Sequence, residues 1–346
     1  MVKRINRTEL VKALEKTKPG LASKEMIEQS SSFVFTNGMI VTYNDEISVT
    51  HPFEALKDIE GAVKAEELHD LLEKMEDEEI EVDIVENEFR INGERVRAGL
   101  AIEKEIKLPI KSNTKIKKWQ RLPNDFLEVL KFVMFSCSED MTKPVLTCVN
   151  VTPFYLEASD GFRVTRRNLS DKLSISHAFL LPKSSAEQVV RYDAENIYAE
   201  EEWVHFQTED GVVLSCRVFS ENYPDIESLG ILNVQGIELR LPSKLSDVVE
   251  RVAVFAKKQE LLGAEVSVKI ADKKFTVRGQ SDYGWVEEEC RINYNKDPIR
   301  FSTNPHFLKD IVTLTQKCTI GNEKMKFVGD GWVHVLALSS NDKEEK

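Results

Sequence analysis

Apolar residues recur along this chain in two alternating rhythms. One has helical spacing, as in Leu10, Val11 and Leu14, in Ala65, Leu68, Leu71 and Leu72, or in Leu245, Val248, Val249, Val252 and Phe255. The other is strict alternation, as in Phe154, Leu156, Ala158, then Phe162 and Val164. The first pass predicts a helix over 8–17 opened by Thr8 and stopped by Pro19-Gly20, then strands over 32–43 and 46–52. A helix over 64–75 and strands over 79–85, 88–92 and 95–102 follow, with Asn92-Gly93 as a hairpin signal. The polar, basic stretch Lys111 to Arg121 has no apolar period and reads as a linker.

The order then restarts. A helix is predicted over 123–136, strands over 145–158 and 162–169, a helix opened by Pro182, and strands over 195–200, 202–208 and 211–218. A third pass gives a helix over 242–258, strands over 265–271, 273–279 and 284–292, and a helix over 304–317 capped by Asn304 with Pro305 at its first position. Strands over 324–328 and 331–338 close it, before a polar tail from Ser339 to Lys346. Tight turns at Asp45-Glu46, Asp160-Gly161 and Ser281-Asp282 mark the same period, their Asp residues 115 and 122 positions apart. Helix, strands, helix, strands occurs three times, which predicts an α+β chain of three repeated domains, 1–113, 114–233 and 234–346.

Composition narrows the chemistry. The five cysteines are scattered, with no Cys-x-x-Cys pair, and read as reduced, buried thiols in a cytoplasmic protein. No apolar run approaches the about 20 residues that span a bilayer. The six histidines show no paired-ligand spacing, and no nucleophile elbow, phosphate-binding loop or dinucleotide fingerprint is present. The acidic run Glu76 to Glu81 reads as a solvated turn and strand edge. No enzyme, cofactor or metal is expected. A hydrolase using Asp45, Asp160 and Asp282 is disfavoured, because these residues recur one per domain as turn formers.

The formal charge of −12 opposes a protein that coats nucleic acid, yet the charge is unevenly distributed. Lys12, Lys16, Lys64, Lys74, Lys131, Lys183, Arg191, Lys244, Arg251, Lys309 and Lys317 fall on the predicted helices, while acids crowd the strands and turns. Helix cations usually decorate solvent-facing helices, but their threefold recurrence points to a surface for the phosphate backbone.

Four stretches carry a family likeness: Lys143 to Val151, Leu156 to Val164, Tyr223-Pro224-Asp225-Ile226, and Ile299 to Leu308, with Val333 to Leu338 as a closing strand. In order and spacing they resemble the bacterial-type DNA sliding clamp, the β subunit of replicative polymerase, over nearly the whole chain. The resemblance implies a head-to-tail homodimer closing a six-domain ring around double-stranded DNA, read without sequence preference. It also implies a DNA polymerase and a clamp loader as partners. A pocket for a peptide with a Gln followed by Leu and Phe anchors is implied at Leu146, Ser159, Gly161, Phe162, Arg163, Val164, Ile231, His334, Leu336 and Leu338. DNA-touching positions are implied at Lys12, Lys24, Lys143 and Lys183. Phe162 stands where the family has His or Tyr, Ile231 where it has Pro, and Val335-Leu336-Ala337-Leu338 replaces its Met-rich end. These departures mark a divergent clamp, and one encoded by a phage and active in the infected host fits them. The rival reading is a clamp-like scaffold that binds peptides without loading on DNA.

Overall fold

The computed structural model describes residues 2–109, 116, 118–259 and 263–339. Residues 111–115 and 117 of the expected linker, and tail residues 340–346, lie outside the described residues. In chain order the elements begin with β1 (Lys3–Asn6), α1 (Arg7–Thr17), β2 (Ser32–Thr36), β3 (Met39–Tyr43), β4 (Ile47–Pro52) and β5 (Gly61–Lys64). Next come α2 (Ala65–Lys74), β6 (Glu79–Val85), β7 (Glu88–Asn92), β8 (Arg97–Glu103), β9 (Gln120–Arg121) and α3 (Phe126–Val133). The middle of the chain supplies β10 (Cys148–Val151), β11 (Tyr155–Ser159), β12 (Arg163–Asn168), β13 (Phe179–Pro182), α4 (Lys183–Arg191), β14 (Asn196–Ala199), β15 (Trp203–Gln207) and β16 (Val213–Arg217). Then follow β17 (Gly236–Arg240), α5 (Leu245–Val252), β18 (Lys257–Gln259), β19 (Gly263–Ala271), β20 (Lys274–Ser281) and β21 (Gly284–Arg291). The last are β22 (Ile299–Thr303), α6 (Pro305–Val312), β23 (Lys317–Gly321), β24 (Lys324–Gly329) and β25 (Trp332–Ala337). The first helices of the three passes start 119 residues apart twice over, at Arg7, Phe126 and Leu245.

The chain forms two compact units, residues up to Lys131 with Asp171–Ser220, and Phe132–Ser170 with the chain from Glu221. The strands of the second pass are shared between them. β16 joins the sheet of the first pass through β4, Leu214 opposite Val49, and β12 joins that of the third through β25. All recorded strand pairs in both units are antiparallel.

The first unit holds one twelve-stranded sheet, ordered β1-β6-β7-β8-β5-β2-β3-β4-β16-β15-β14-β9. Over it, α1 buries Leu10, Ala13, Leu14 and Thr17, and α2 buries Ala65, Leu68, His69 and Leu72. The apolar members of both sets share a core with Phe33, Phe35, Ile80, Val82 and Phe89. The α1 cap is Asn6 rather than the expected Thr8: the Asn6 Oδ1 accepts from the Glu9 amide at 3.0 Å. The Asn6 side chain caps the helix two residues before Thr8, so the helix begins at Arg7. At the other end the chain packs so closely on β3 that a Cβ on Gly20 would lie 2.3 Å from the Thr42 Oγ1.

In the second unit α5 and α6 bury Leu245, Val248, Val249, Val252, Leu308, Ile311 and Val312 against two sheets. One has the order β10-β11-β12-β25-β24-β23-β17 within this unit; the other runs β18-β19-β20-β21, with β22 on β19. Helix α6 is capped as expected, the Asn304 Oδ1 accepting from the His306 amide at 2.8 Å. Two expected helices end early. Residues 257–259 are strand β18 instead of helix, and Lys317 opens β23. Their apolar stripes stop at Phe255 and Val312, and without a stripe to bury there is little to hold further turns.

Candidate peptide and nucleic-acid surfaces

The turn between β11 and β12 is an Asx turn. The Asp160 Oδ1 accepts from the Phe162 and Arg163 amides, both at 2.9 Å, and the Ser159 Oγ accepts from the Gly161 amide at 3.1 Å. Gly161 sits at φ +92°, which an L side chain rarely adopts, and its position would bring a Cβ 3.8 Å from the Leu146 Cδ1. Leu146 and Phe162 are half-buried here, and Ser159 is buried. The other two Asp turns are built differently. At Asp45, φ +76°, the neighbouring Asn44 accepts the amides of Glu46 and Ile47, and Asp45 pairs with Arg217. The β20–β21 turn spans Asp282 and Tyr283, and Ser281 accepts from the Tyr283 amide.

Strand β12 pairs with β25 in the register Arg163–Leu336, Val164–Val335, Thr165–His334. Opposed residues share a face and successive ones alternate. The expected peptide residues therefore divide between two faces of the sheet. Arg163, His334, Leu336 and Leu338 face inward. Leu336 (0% exposed) and Leu338 (7%) belong to the core beneath α5 and α6, and His334 is fully buried. The inward face is filled by packing and polar contacts, with the His334 Nε2 left buried without a hydrogen-bond partner. The Arg163 guanidinium bonds Asp160 at 2.9 Å and Asp310 at 2.7 Å, and stacks on Phe307 with its centre 4.2 Å from the ring. The His334 Nδ1 lies 2.7 Å from the Thr165 Oγ1, which is 2.7 Å from the Ser136 Oγ. Burial, reinforced by the Arg163 charge, drives the His334 ring down to about 3.

The opposite face carries the other set. Val164 and Val335 form an apolar cluster with Ile226, and Tyr223, Ile231, Leu232, Val234 and Val333 pack half-buried against it. At its border Arg166 bonds the buried Glu157 at 2.9 Å and Glu227 at 2.7 Å, and Asn150 donates to Glu157 at 2.9 Å. Burial raises the Tyr223 phenol, with the Glu157 carboxylate the next cause. The β12–β25 register thus places Val164 on one face and His334, Leu336 and Leu338 on the other, with Ile231 packed beside Val164. Tyr223, Leu232, Val234, Val333 and Val335 were not among the peptide residues expected from the sequence. The two-residue alternation of β25 was the available signal, since it sets Val333 and Val335 beside Val164.

The expected DNA-touching residues are also divided. Lys12, Lys24 and Lys183 belong to the first unit and Lys143 to the second. Lys12, Lys24 and Lys143 are exposed, and Lys183 is half-buried at the first position of α4. Lys12 lines a cleft of about 460 Å³ with Glu15, Lys16, Arg191, Tyr192 and Asp210. The Lys16 ammonium bonds Asp210 at 2.5 Å, and the Tyr192 hydroxyl donates to the Lys16 carbonyl. Several helix-associated cations are neutralised in the same way: Lys64 by Glu25, Lys74 by Asp70, Arg251 by Glu288 and Lys309 by Glu250. Lys64 and Lys244 are cap residues, and Lys317 belongs to β23. The cysteines are free; burial pushes Cys148 to about 11 and Cys216 and Cys318 to about 12, so these thiols stay protonated near neutrality. No helix among the described residues is long and apolar enough to cross a membrane.

No protein-family model matches the chain, and no curated protein does. Solved structures do. The β subunit of DNA polymerase from Streptococcus pyogenes is 19% identical, with a TM-score of 0.84 over 99% of this chain and 100% of that one. The DNA polymerase sliding clamp from Bacillus subtilis is 17% identical, with a TM-score of 0.82 over 99% of both chains. The DNA polymerase III subunit beta from Pseudomonas aeruginosa is 16% identical, with a TM-score of 0.83 over 98% and 99%. The α+β fold of this chain, helices on antiparallel sheets, is the fold of the bacterial sliding clamps from end to end.

Proposed function

We propose that the chain is a processivity clamp whose two copies close head to tail around duplex DNA. In this reading it tethers a DNA polymerase after placement by a clamp loader, in a bacterial cytoplasm or an infected host. The observation that carries it is the end-to-end likeness to sliding clamps, with 98–99% of this chain covered. Three domains, 1–113, 114–233 and 234–346, then make six in the dimer. The protein performs no chemistry in this role; topology holds it, so weak contacts from Lys12, Lys24, Lys143 and Lys183 suffice for sliding.

Closure requires two complementary edges. Strand β21 is the outer strand of its sheet, and residues 97–101 of β8 pair with β7 alone among the described strands. Glu287, Glu288 and Glu289 mark the first edge, each also paired within its own chain to Arg278, Arg251 and Lys274 respectively, and Arg95 and Arg97 mark the second. Beside β21, the exposed Val254, Tyr283 and Trp285 offer an apolar patch, with Phe255 3.2 Å from a Cβ built on Gly284. Edge pairing with opposite charges and an apolar centre suits an interface between copies.

The peptide site is assigned to the outward face around Val164, Ile231, Val333 and Val335, with Leu146, Ser159, Gly161 and Phe162 at its turn. Arg163, His334, Leu336 and Leu338 support that face from beneath. A second reading, a peptide-binding scaffold that does not load on DNA, is favoured by the ion pairing of the helix cations. Retention on nicked circular DNA after loading, compared with the same DNA linearised, separates the two. The clamp stays on the circle, slides off the linear form, and is retained in smaller amount when Lys12, Lys24 and Lys183 are reversed to Glu. Equal retention on both forms, or none, contradicts it.

A further inference from the structure

A buried imidazole on α2 faces two carboxylates across the α1–α2 contact. His69 and Glu73 stand one turn apart on α2, and Glu15 reaches over from α1; one donor atom from each lies within 4.8 Å of the other two. The His69 Nε2 lies 3.9 Å from the Glu15 Oε1, and the Nδ1 lies 3.5 Å from the Glu73 Oε2. His69 is only 4% exposed, and its Nε2 is buried without a hydrogen-bond partner. A buried ring nitrogen left unsatisfied is costly, and this one faces Glu15, while the Nδ1 of the same ring faces Glu73. Both carboxylates are half exposed, so a cation can approach from solvent.

We infer that Glu15, His69 and Glu73 form a binding site for a divalent transition metal, with zinc as the suitable probe. One imidazole nitrogen with two carboxylate oxygens is a donor set such cations accept, leaving positions for water. The Lys18 ammonium lies 3.3 Å from the His69 Nδ1 and holds a positive charge beside the acids when no metal is bound. It is the cation a metal must displace or repel. Metal binding would tie the end of α1 to the middle of α2, and it requires neither DNA nor a second copy of the chain.

Zinc titration of the chelator-treated full-length protein by calorimetry tests the site, with thermal melts to verify each variant's fold. One zinc per chain is expected, with Kd raised at least tenfold by His69→Gln and by Glu15→Gln. Glu15 is half exposed, so its variant retains the fold if His69→Gln does not. Lys18→Met should lower the Kd, because it removes the competing charge; a merely structural His69 predicts no such gain. No zinc binding, or an affinity indifferent to all three substitutions, overturns the inference.

Discussion

His334 is held neutral in the folded chain by burial and by the Arg163 charge, its pKa displaced from 6.5 to about 3. Between those values the unfolded chain binds a proton that the folded chain refuses. Stability from this residue is therefore complete above pH 6.5 and falls by up to about 1.4 kcal/mol per unit as the pH drops towards 3. Denaturant midpoints measured from pH 7.5 to 4.5 should fall more steeply for the parent than for His334→Gln; equal slopes would disprove it. Arg163 is the neighbouring test. Arg163→Ala leaves Asp160 and Asp310 without their fork and should cost roughly 3 kcal/mol in urea unfolding, whereas Arg163→Lys keeps the charge and loses less. A loss below about 0.5 kcal/mol for Arg163→Ala would mean that the guanidinium is not structural. The sequence marked both residues as important through their motif. It could not show that they face inward, because that depends on the β12–β25 pairing across 169 positions.

At the scale of elements, the division of β25 into two faces makes a differential prediction. Val333→Lys and Leu146→Lys alter half-buried positions and should keep the fold while abolishing binding of a peptide with Gln, Leu and Phe anchors. Leu336→Ala should instead lower stability by about 2–5 kcal/mol through a core cavity. Fluorescence anisotropy of the labelled peptide and a denaturation series would report both, and retained binding by Val333→Lys would place the site elsewhere. The long helices and the hairpins were legible because their apolar periods are local. Short strands such as β5, β13, β17 and β22 were not, since four or five residues give periodicity too little length to declare itself. Their pairing is decided by distant partners: β22 finds β19, and β17 finds β23.

At the scale of the molecule, the threefold order was legible because helices recur at a nearly constant period. The division of the second pass between two compact units was not, because it arises from the β4–β16 and β12–β25 pairs. The edges of β8 and β21 and the patch at Val254 and Trp285 make the closed pair of chains the central claim. Native mass by light scattering across a dilution series tests it most directly. The account predicts about twice the chain mass of 39.5 kDa, falling to one chain mass in a Val254→Lys, Trp285→Lys variant that melts like the parent. A parent protein that stays at 39.5 kDa at every concentration would contradict it.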